Sequence, residues 1–521
     1  MDSTLIMMLL IAFILGGFTV IGATKGTRRI SDFYAAGGQL HPAPNGLVIA
    51  VSTMPAALFA GTLGSFSIFA GICGGLLLIA VLLAPLLQRF GGYTLPDFLA
   101  DRFPGKSEAR AAGIIAILVC CLPLFLGVLL SAGTAVLVML NFRVTMSACI
   151  ALVSAILFVT TLLGGMRSLT WAQIAQGAVL IVAVLVTALL LGIRGSVTGS
   201  PNDPGFATML PHPFGLGDQL GRAASIVTLV LGIASFPSIL VRSITVATPG
   251  AARLSFAWAI LFLCPLYFAP HVFRAWFPIL DGGNISVLSP WALGIISGVS
   301  VAILAASLAS AGGLLLTIAN MLGNDIYYKS LDPNAPPARW LSASRVSVVL
   351  VTLVAALLAS AVDGQAIFWG AEASFSLAAS AILPALMLGL WWKRANGQGA
   401  VSGMFAGLAL CLYYLVATRY FPISFYETWS SFSGATSDQV ARYATLKDAY
   451  VLAQGAAKQA ALATLQDKAR TLANWWGVSG QCAAVFAVPF GFLVTIVVSV
   501  CTPRPPTDIE NFVGELGKKD D

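Results

Sequence analysis

Charge is what this 521-residue chain has least of: Asp, Glu, Lys and Arg make up 9% of it, against 58% hydrophobic residues. No soluble domain can hide that much apolar surface, so the composition excludes a water-soluble fold and implies a polytopic membrane protein. Histidine is scarce as well, at His41, His212 and His271. A membrane-embedded enzyme would need convergent His, Asp or Glu. With so few of them, and no soluble catalytic domain, the chain does not read as an enzyme. The eight cysteines fall in or at the ends of apolar stretches with no CxxC, so neither a disulfide nor a zinc framework is implied. The first apolar segment has no basic n-region and no small-residue cleavage site. It reads as a retained helix rather than a signal peptide. The net charge of +7 does not point to nucleic acid, because membrane proteins gather Lys and Arg in their cytoplasmic loops.

Long apolar runs are what the chain does have. Stretches of about 20 residues, the length that spans a bilayer, lie at 4–21, 45–64, 65–87, 111–139, 144–163, 169–193, 223–240, 254–277, 291–322, 346–361, 366–392, 400–417 and 480–500. The expectation is an all-α protein with about 13 transmembrane helices. Basic residues alternate between loops. Lys25, Arg28 and Arg29, then Arg89, Arg102, Lys106 and Arg110, then Lys393 and Arg394 fall on one side, with few on the other. By the positive-inside rule this sets the N-terminus outside and the C-terminus in the cytoplasm of a bacterial inner membrane. Residues 419–478 differ in kind, and their middle is rich in Ala, Gln and Lys. They read as a soluble helical insert on the outer face, with Ser437-Asp438 capping a helix. The tail from 502 to 521 reads as unstructured.

One stretch, 44–64, is apolar enough to enter the bilayer, yet Ser52, Thr53, Met54 and Pro55 interrupt it. Pro55 has no N–H and its ring crowds the preceding turn, so carbonyls around Val51 lose helical partners. Broken backbone at membrane depth is tolerated only in protein or beside a wet cavity, and transporters bind ions and substrates at such breaks. A plain proline kink is the rival reading. The stretch 223–240, with Gly232 and Pro237, is a second interrupted segment. Glu372 is the one acid well inside a span, which by default marks an ion path or proton relay. Alternatively it snorkels to the outer water. Arg242 closes the seventh helix and reads more economically as an inside anchor than as an attractor of anions.

Several segments resemble the sodium:solute symporter family. They are Ser31-Asp32-Phe33-Tyr34-Ala35-Ala36-Gly37-Gly38, Thr94-Leu95-Pro96-Asp97-Phe98-Leu99 with Arg102-Phe103, and Asn324-Asp325-Ile326-Tyr327. Within the family, two motifs look like the acetate and short-monocarboxylate branch. These are Gly164-Gly165-Met166-Arg167 with Thr170-Trp171-Ala172-Gln173, and Phe236-Pro237-Ser238-Ile239-Leu240-Val241-Arg242 with Thr245-Val246. Many sugar and amino-acid carriers of the family have an acid where Gln173 stands. The resemblance covers residues 1–420 and resumes at Trp475.

The resemblance implies a LeuT-like core of two inverted five-helix repeats. The expected division is a first helix and cytoplasmic loop (1–44), a first repeat (45–193), an outer loop (194–222) and a second repeat (223–392). An additional helix (393–418), the extracytoplasmic insert (419–478), a last helix (479–501) and the cytoplasmic tail (502–521) follow. It also implies a sodium site using backbone carbonyls of Val51, Met54 and Ala306, with Ala309 and Ser310 where a hydroxyl pair often stands. Ala309 lacks a hydroxyl, and Pro55 replaces a usual serine, so a proton carried by Glu372 is the alternative coupling ion. Thr53, Pro55, Trp171, Gln173, Phe236 and Pro237 are the expected substrate and cavity residues, with half-helix N-termini facing an anion. No other cofactor is expected. The partners are the lipid bilayer and a small organic anion; a small accessory membrane subunit is left open. The function implied is cation-coupled uptake of acetate, propionate or pyruvate. Alternatives are a ligand-sensing membrane module without net transport and a same-fold carrier of an amino acid or urea.

Overall fold

In lipid a backbone must satisfy its own N–H and C=O groups, and a chain of long apolar runs does so as helices. The computed structural model describes residues 15–59, 66–103, 106–140, 142–193, 219–273 and 290–509. Among them the only β-type pairing is one isolated bridge, Trp475–Val478. Helices α1 (Leu15–Thr24), α2 (Ile30–Ala35), α3 (Pro42–Phe59) and α4 (Ile68–Phe90) come first. A short α5 (Leu95–Arg102) leads to α6 (Lys106–Met139), α7 (Met146–Leu162) and α8 (Gly165–Ile193). After the undescribed stretch 194–218 come α9 (Gln219–Ser235), α10 (Pro237–Leu240, carried on as a 3-10 turn to Thr245) and α11 (Pro249–Phe273). Then α12 (Pro290–Asn320) runs into a π-helical end, Met321–Leu331, followed by α13 (Pro337–Ala361), α14 (Gly364–Trp391) and α15 (Gly397–Tyr420). Three insert helices, α16 (Pro422–Trp429), α17 (Ser437–Leu452) and α18 (Gly455–Leu472), precede α19 (Ala484–Cys501).

Among the described residues nine helices are long and apolar enough to cross a membrane, ten if the bent pair α9–α10 counts as one span. Helices α1 and α7 are shorter apolar helices. The surface is inverted relative to a soluble protein: Leu357 is 70% exposed and Leu189 63%, as lipid-facing positions should be.

The packing has an internal two-fold. Helix α3 packs on α11, and its counterpart α9 packs on α4. In the same way α6 packs on α14 and α12 on α8, while α6–α12 and α7–α13 pair across the pseudo-axis. Each half has five principal helices, α3, α4, α6, α7 and α8 against α9–α10, α11, α12, α13 and α14, and an odd number inverts the second half. Small residues allow the two equivalent contacts to close. A Cβ on Gly46 of α3 would lie 2.5 Å from the Trp258 Cβ on α11, and one on Gly75 of α4 would lie 2.6 Å from the Ile233 Cβ on α9. Helices α15 and α19 pack on each other and on α14, outside the two halves.

Two local expectations are corrected. The interruption expected at Ser52–Pro55 does not break α3, which is helical from Pro42 to Phe59. Proline removes a single donor, and the surrounding helices hold the axis. The insert helix α17 is capped by Thr436, not by Ser437-Asp438: the Thr436 hydroxyl accepts the Gln439 N–H, and the Gln439 side chain accepts the Thr436 N–H.

Candidate functional site

The real break is in the second half. Pro237 offers no N–H to the Ile233 carbonyl, so the Phe236 N–H takes that carbonyl at 3.2 Å and Phe236 itself turns extended. The segments Leu220–Ser235 and Pro237–Thr245 then diverge by 53°. Gly232, one turn before the break, sits against Phe375 of α14, and the Phe236 and Phe375 rings lie 5.2 Å apart.

Because α10 is set off from α9, its two faces look into different cavities. One is apolar, between α4, α5 and α10, and takes Pro237, Leu240, Val241 and Ile244 with Phe90, Tyr93 and Phe98. The other lies at the centre of the bundle and encloses about 400 Å³ of empty space, open solvent included. Ser52 and Thr53 of α3, Ser238 and Arg242 of the α10 segment and Ser310 of α12 give it a polar wall; Leu124, Ile233, Phe236 and Phe375 give the apolar one.

Arg242 is 2% exposed. Its backbone carbonyl is held by the Asn45 side chain of α3 at 3.2 Å and by the Thr245 hydroxyl at 2.8 Å. Its guanidinium donates to Thr170 Oγ1 at 3.0 Å and to Gln173 Oε1 at 2.5 Å, both on α8. The Gln173 amide in turn donates to the Ala309 carbonyl of α12 at 2.6 Å. Among the described residues no Asp or Glu lies within 4.0 Å of Arg242. A buried guanidinium with hydrogen bonds to neutral groups keeps its full positive charge and can, in chemical terms, accept an anion. Beside it, the Ser52 hydroxyl has no hydrogen-bond partner among the described residues.

The same region joins α3 to α12. The Ser310 hydroxyl donates to the Ser52 carbonyl at 2.8 Å, and Thr53 Oγ1 bonds back to the Ala50 carbonyl at 2.8 Å. Val51, Ala306 and Ala309 are buried at this contact. Met54 and Pro55 lie in α3, but their side chains fall outside the described residues. Ser310 of α12 thus touches the α3 backbone next to Val51, and the Ala309 carbonyl is already engaged by Gln173.

Of the expected cavity residues, Thr53 and Phe236 line the central space, Gln173 backs it through Arg242, and Pro237 faces the apolar cavity instead. Trp171 is a correction. It is 45% exposed with the Lys25 ammonium 5.1 Å from its ring centroid, because two residues along a helix turn it some 200° away from Gln173. Glu372 does not line the cavity. It lies one turn from Phe375, and its carboxylate accepts the Gln481 amide at 3.3 Å. Sequence reasoning gave Thr170 no role and read Arg242 more as a positive-inside anchor than as an attractor of anions. The signal was Pro237, which ends one helix and starts another, so that Arg242 follows within two turns inside the bundle.

At the end opposite the insert, buried polar groups fasten α5 to the π-helical end of α12. Thr94 Oγ1 donates to Asp325 at 3.0 Å, Asn324 Nδ2 to Asp97 at 2.7 Å, and Arg110 stands 3.8 Å from Asp97.

A family model described as the sodium:solute symporter family matches residues 33–279 and 284–407. A monocarboxylic acid transporter of Corynebacterium glutamicum is 28% identical, over 78% of this chain and 82% of that protein. Uncharacterized symporters of Cupriavidus necator (24% identical, 96% of this chain, 92% of that one) and Bacillus subtilis (28%, 75% and 81%) are similar along comparable lengths. A solved Na+-coupled sialic acid symporter, in a substrate-bound outward-open state, superposes with a TM-score of 0.65 at 14% identity, covering 96% of this chain and 98% of that one. That likeness, with the internal two-fold, gives the LeuT-like fold. With a family model matched over most of its length, the chain belongs to the sodium:solute symporter family, a multi-pass membrane transporter working by cation-coupled symport.

Proposed function

We propose that this symporter takes up a small monocarboxylate such as acetate, propionate or pyruvate by alternating access. The observation that carries this reading is Arg242, a buried guanidinium in the wall of a small cavity with no Asp or Glu within 4.0 Å among the described residues. Burying an ion costs several kcal/mol, and two neutral hydrogen bonds offset only part of that. A carboxylate that accepts from the guanidinium supplies the missing charge. The Ser52 hydroxyl, without a partner among the described residues, offers it a second donor, and Phe236 and Phe375 cover a short apolar tail. The name of the Corynebacterium glutamicum relative supports the same class of substrate.

Sodium is the ion the family implies. The proposed ligands are the carbonyls of Val51, Met54 and Ala306 and the hydroxyl of Ser310, with Ala309 contributing only backbone. The Ser310 hydroxyl donates its hydrogen bond to the Ser52 carbonyl, which leaves its oxygen lone pairs free for a cation. Glu372, bonded to Gln481 between α14 and the start of the last span, is the candidate for proton coupling instead. The Lys and Arg bias supports a bacterial inner-membrane protein with its N-terminus outside and its C-terminus in the cytoplasm.

Uptake of labelled acetate and pyruvate into proteoliposomes, with sodium and pH gradients imposed separately, tests this. The expected result is sodium-driven accumulation that is lost in Ser310→Ala and retained in Glu372→Gln. Proton-driven accumulation abolished by Glu372→Gln would move the coupling to the carboxyl. Binding without accumulation under either gradient would overturn uptake and leave a sensing module.

A further inference from the structure

Gln173 is fully buried, and both ends of its amide are committed: Oε1 accepts from Arg242, and Nε2 donates to the Ala309 carbonyl. The two partners fix which way the amide points, since the guanidinium needs an acceptor and the carbonyl needs a donor. A carboxylate of the same shape would pair with Arg242 as a buried ion pair and set its second oxygen against the Ala309 carbonyl.

We infer that Gln173 sets the charge of the solute this cavity accepts: it holds the guanidinium in place without neutralising it. This rests on the reading of Arg242 as the partner of the substrate carboxylate. Gln173 is a positioning residue, because it touches the guanidinium and the α12 backbone and does not itself line the cavity. With a neutral group at 173 the attraction left over at Arg242 selects anions. With an acid at 173 that attraction is spent inside the protein.

The test compares two isosteric ligands, acetate and acetamide, binding to purified wild type, Gln173→Glu and Gln173→Leu. Each variant is first checked for a monodisperse gel-filtration profile. The wild type binds acetate in preference to acetamide. Gln173→Glu lowers that preference about tenfold or more. Gln173→Leu, which loses both hydrogen bonds of the wild-type amide and stays neutral, weakens both ligands and keeps the preference. An unchanged preference in Gln173→Glu, or an equal collapse of preference in both variants, would overturn the inference and leave Gln173 as a helix bridge. A wild type that does not prefer acetate would instead overturn the reading of Arg242 on which the inference stands.

Discussion

At the scale of single residues, burial decides what a charge does. The sequence puts Arg102 in a cytoplasmic loop and Arg242 at the inner end of the seventh helix, and both are buried. Arg102 donates to the Gly389 and Trp392 carbonyls at the end of α14, which is a helix-capping role. Arg242 instead reaches the central cavity. The sequence could not separate the two, because the positive-inside rule counts charges without seeing which ones fold back into the bundle. Asp97 gives a third case. Burial pushes its carboxyl above the ordinary carboxylate range, while the nearby Lys329 and Arg110 charges and the Asn324 hydrogen bond pull the other way. A folded-state pKa above the unfolded one means that the protonated form favours the fold. Its contribution is fully present at low pH and is lost as pH rises through the raised value. Asp97→Asn mimics the protonated form and keeps an acceptor for Asn324. Its melting temperature should exceed that of the wild type at neutral pH, and the two should converge as pH falls toward about 4. A gap that widens on acidification would mean that the ionised carboxylate is the stabilising form.

Among the elements, two prolines in apolar helices have opposite outcomes. Pro55 leaves α3 helical, and the Ser52 carbonyl beside it is taken by Ser310 from across the bundle. Pro237 breaks its span by 53°, with Phe236 extended at the joint. Both read alike in sequence, and tertiary contacts separate them, so the first interruption was over-read and the second was legible. The packing glycines were legible only as small residues, since nothing local says which helix they meet. Gly75 is the sharper test. An added methyl would meet the Ile233 Cβ at 2.6 Å and the Val230 carbonyl at 2.9 Å, both on α9. Gly75→Ala should therefore cost about 1–3 kcal/mol of stability, read as a lowered melting temperature in detergent. A variant as stable as the wild type would show that α4 and α9 can part at no cost.

For the molecule as a whole, spacing and composition made the membrane architecture readable, because the bilayer imposes helix length and polarity on the chain. The insert was readable for the opposite reason, a local loss of apolar periodicity. It carries its own small core of Tyr426, Tyr443, Leu465, Ala469 and Leu472, and its returning segment is held by Trp475, whose ring packs against Tyr414 and Phe486. The meeting of α3, α8, α10 and α12 was legible only through the family resemblance, and without Arg242 in its wall: four segments far apart in the chain place one cation and three serines around a shared space, with the Gln173 amide behind the cation. On the proposed function that meeting is central: the buried Arg242 guanidinium, with no Asp or Glu within 4.0 Å among the described residues, is completed by the carboxylate of the solute. The most direct measurement is the affinity of purified Arg242→Gln for acetate beside the wild type, with gel filtration and melting curves confirming an intact fold. The account predicts that affinity falls by about 30-fold or more, as removal of one partner of a buried charge pair does. An affinity within about threefold of the wild type, below the 1.4 kcal/mol that a tenfold change represents, would contradict it.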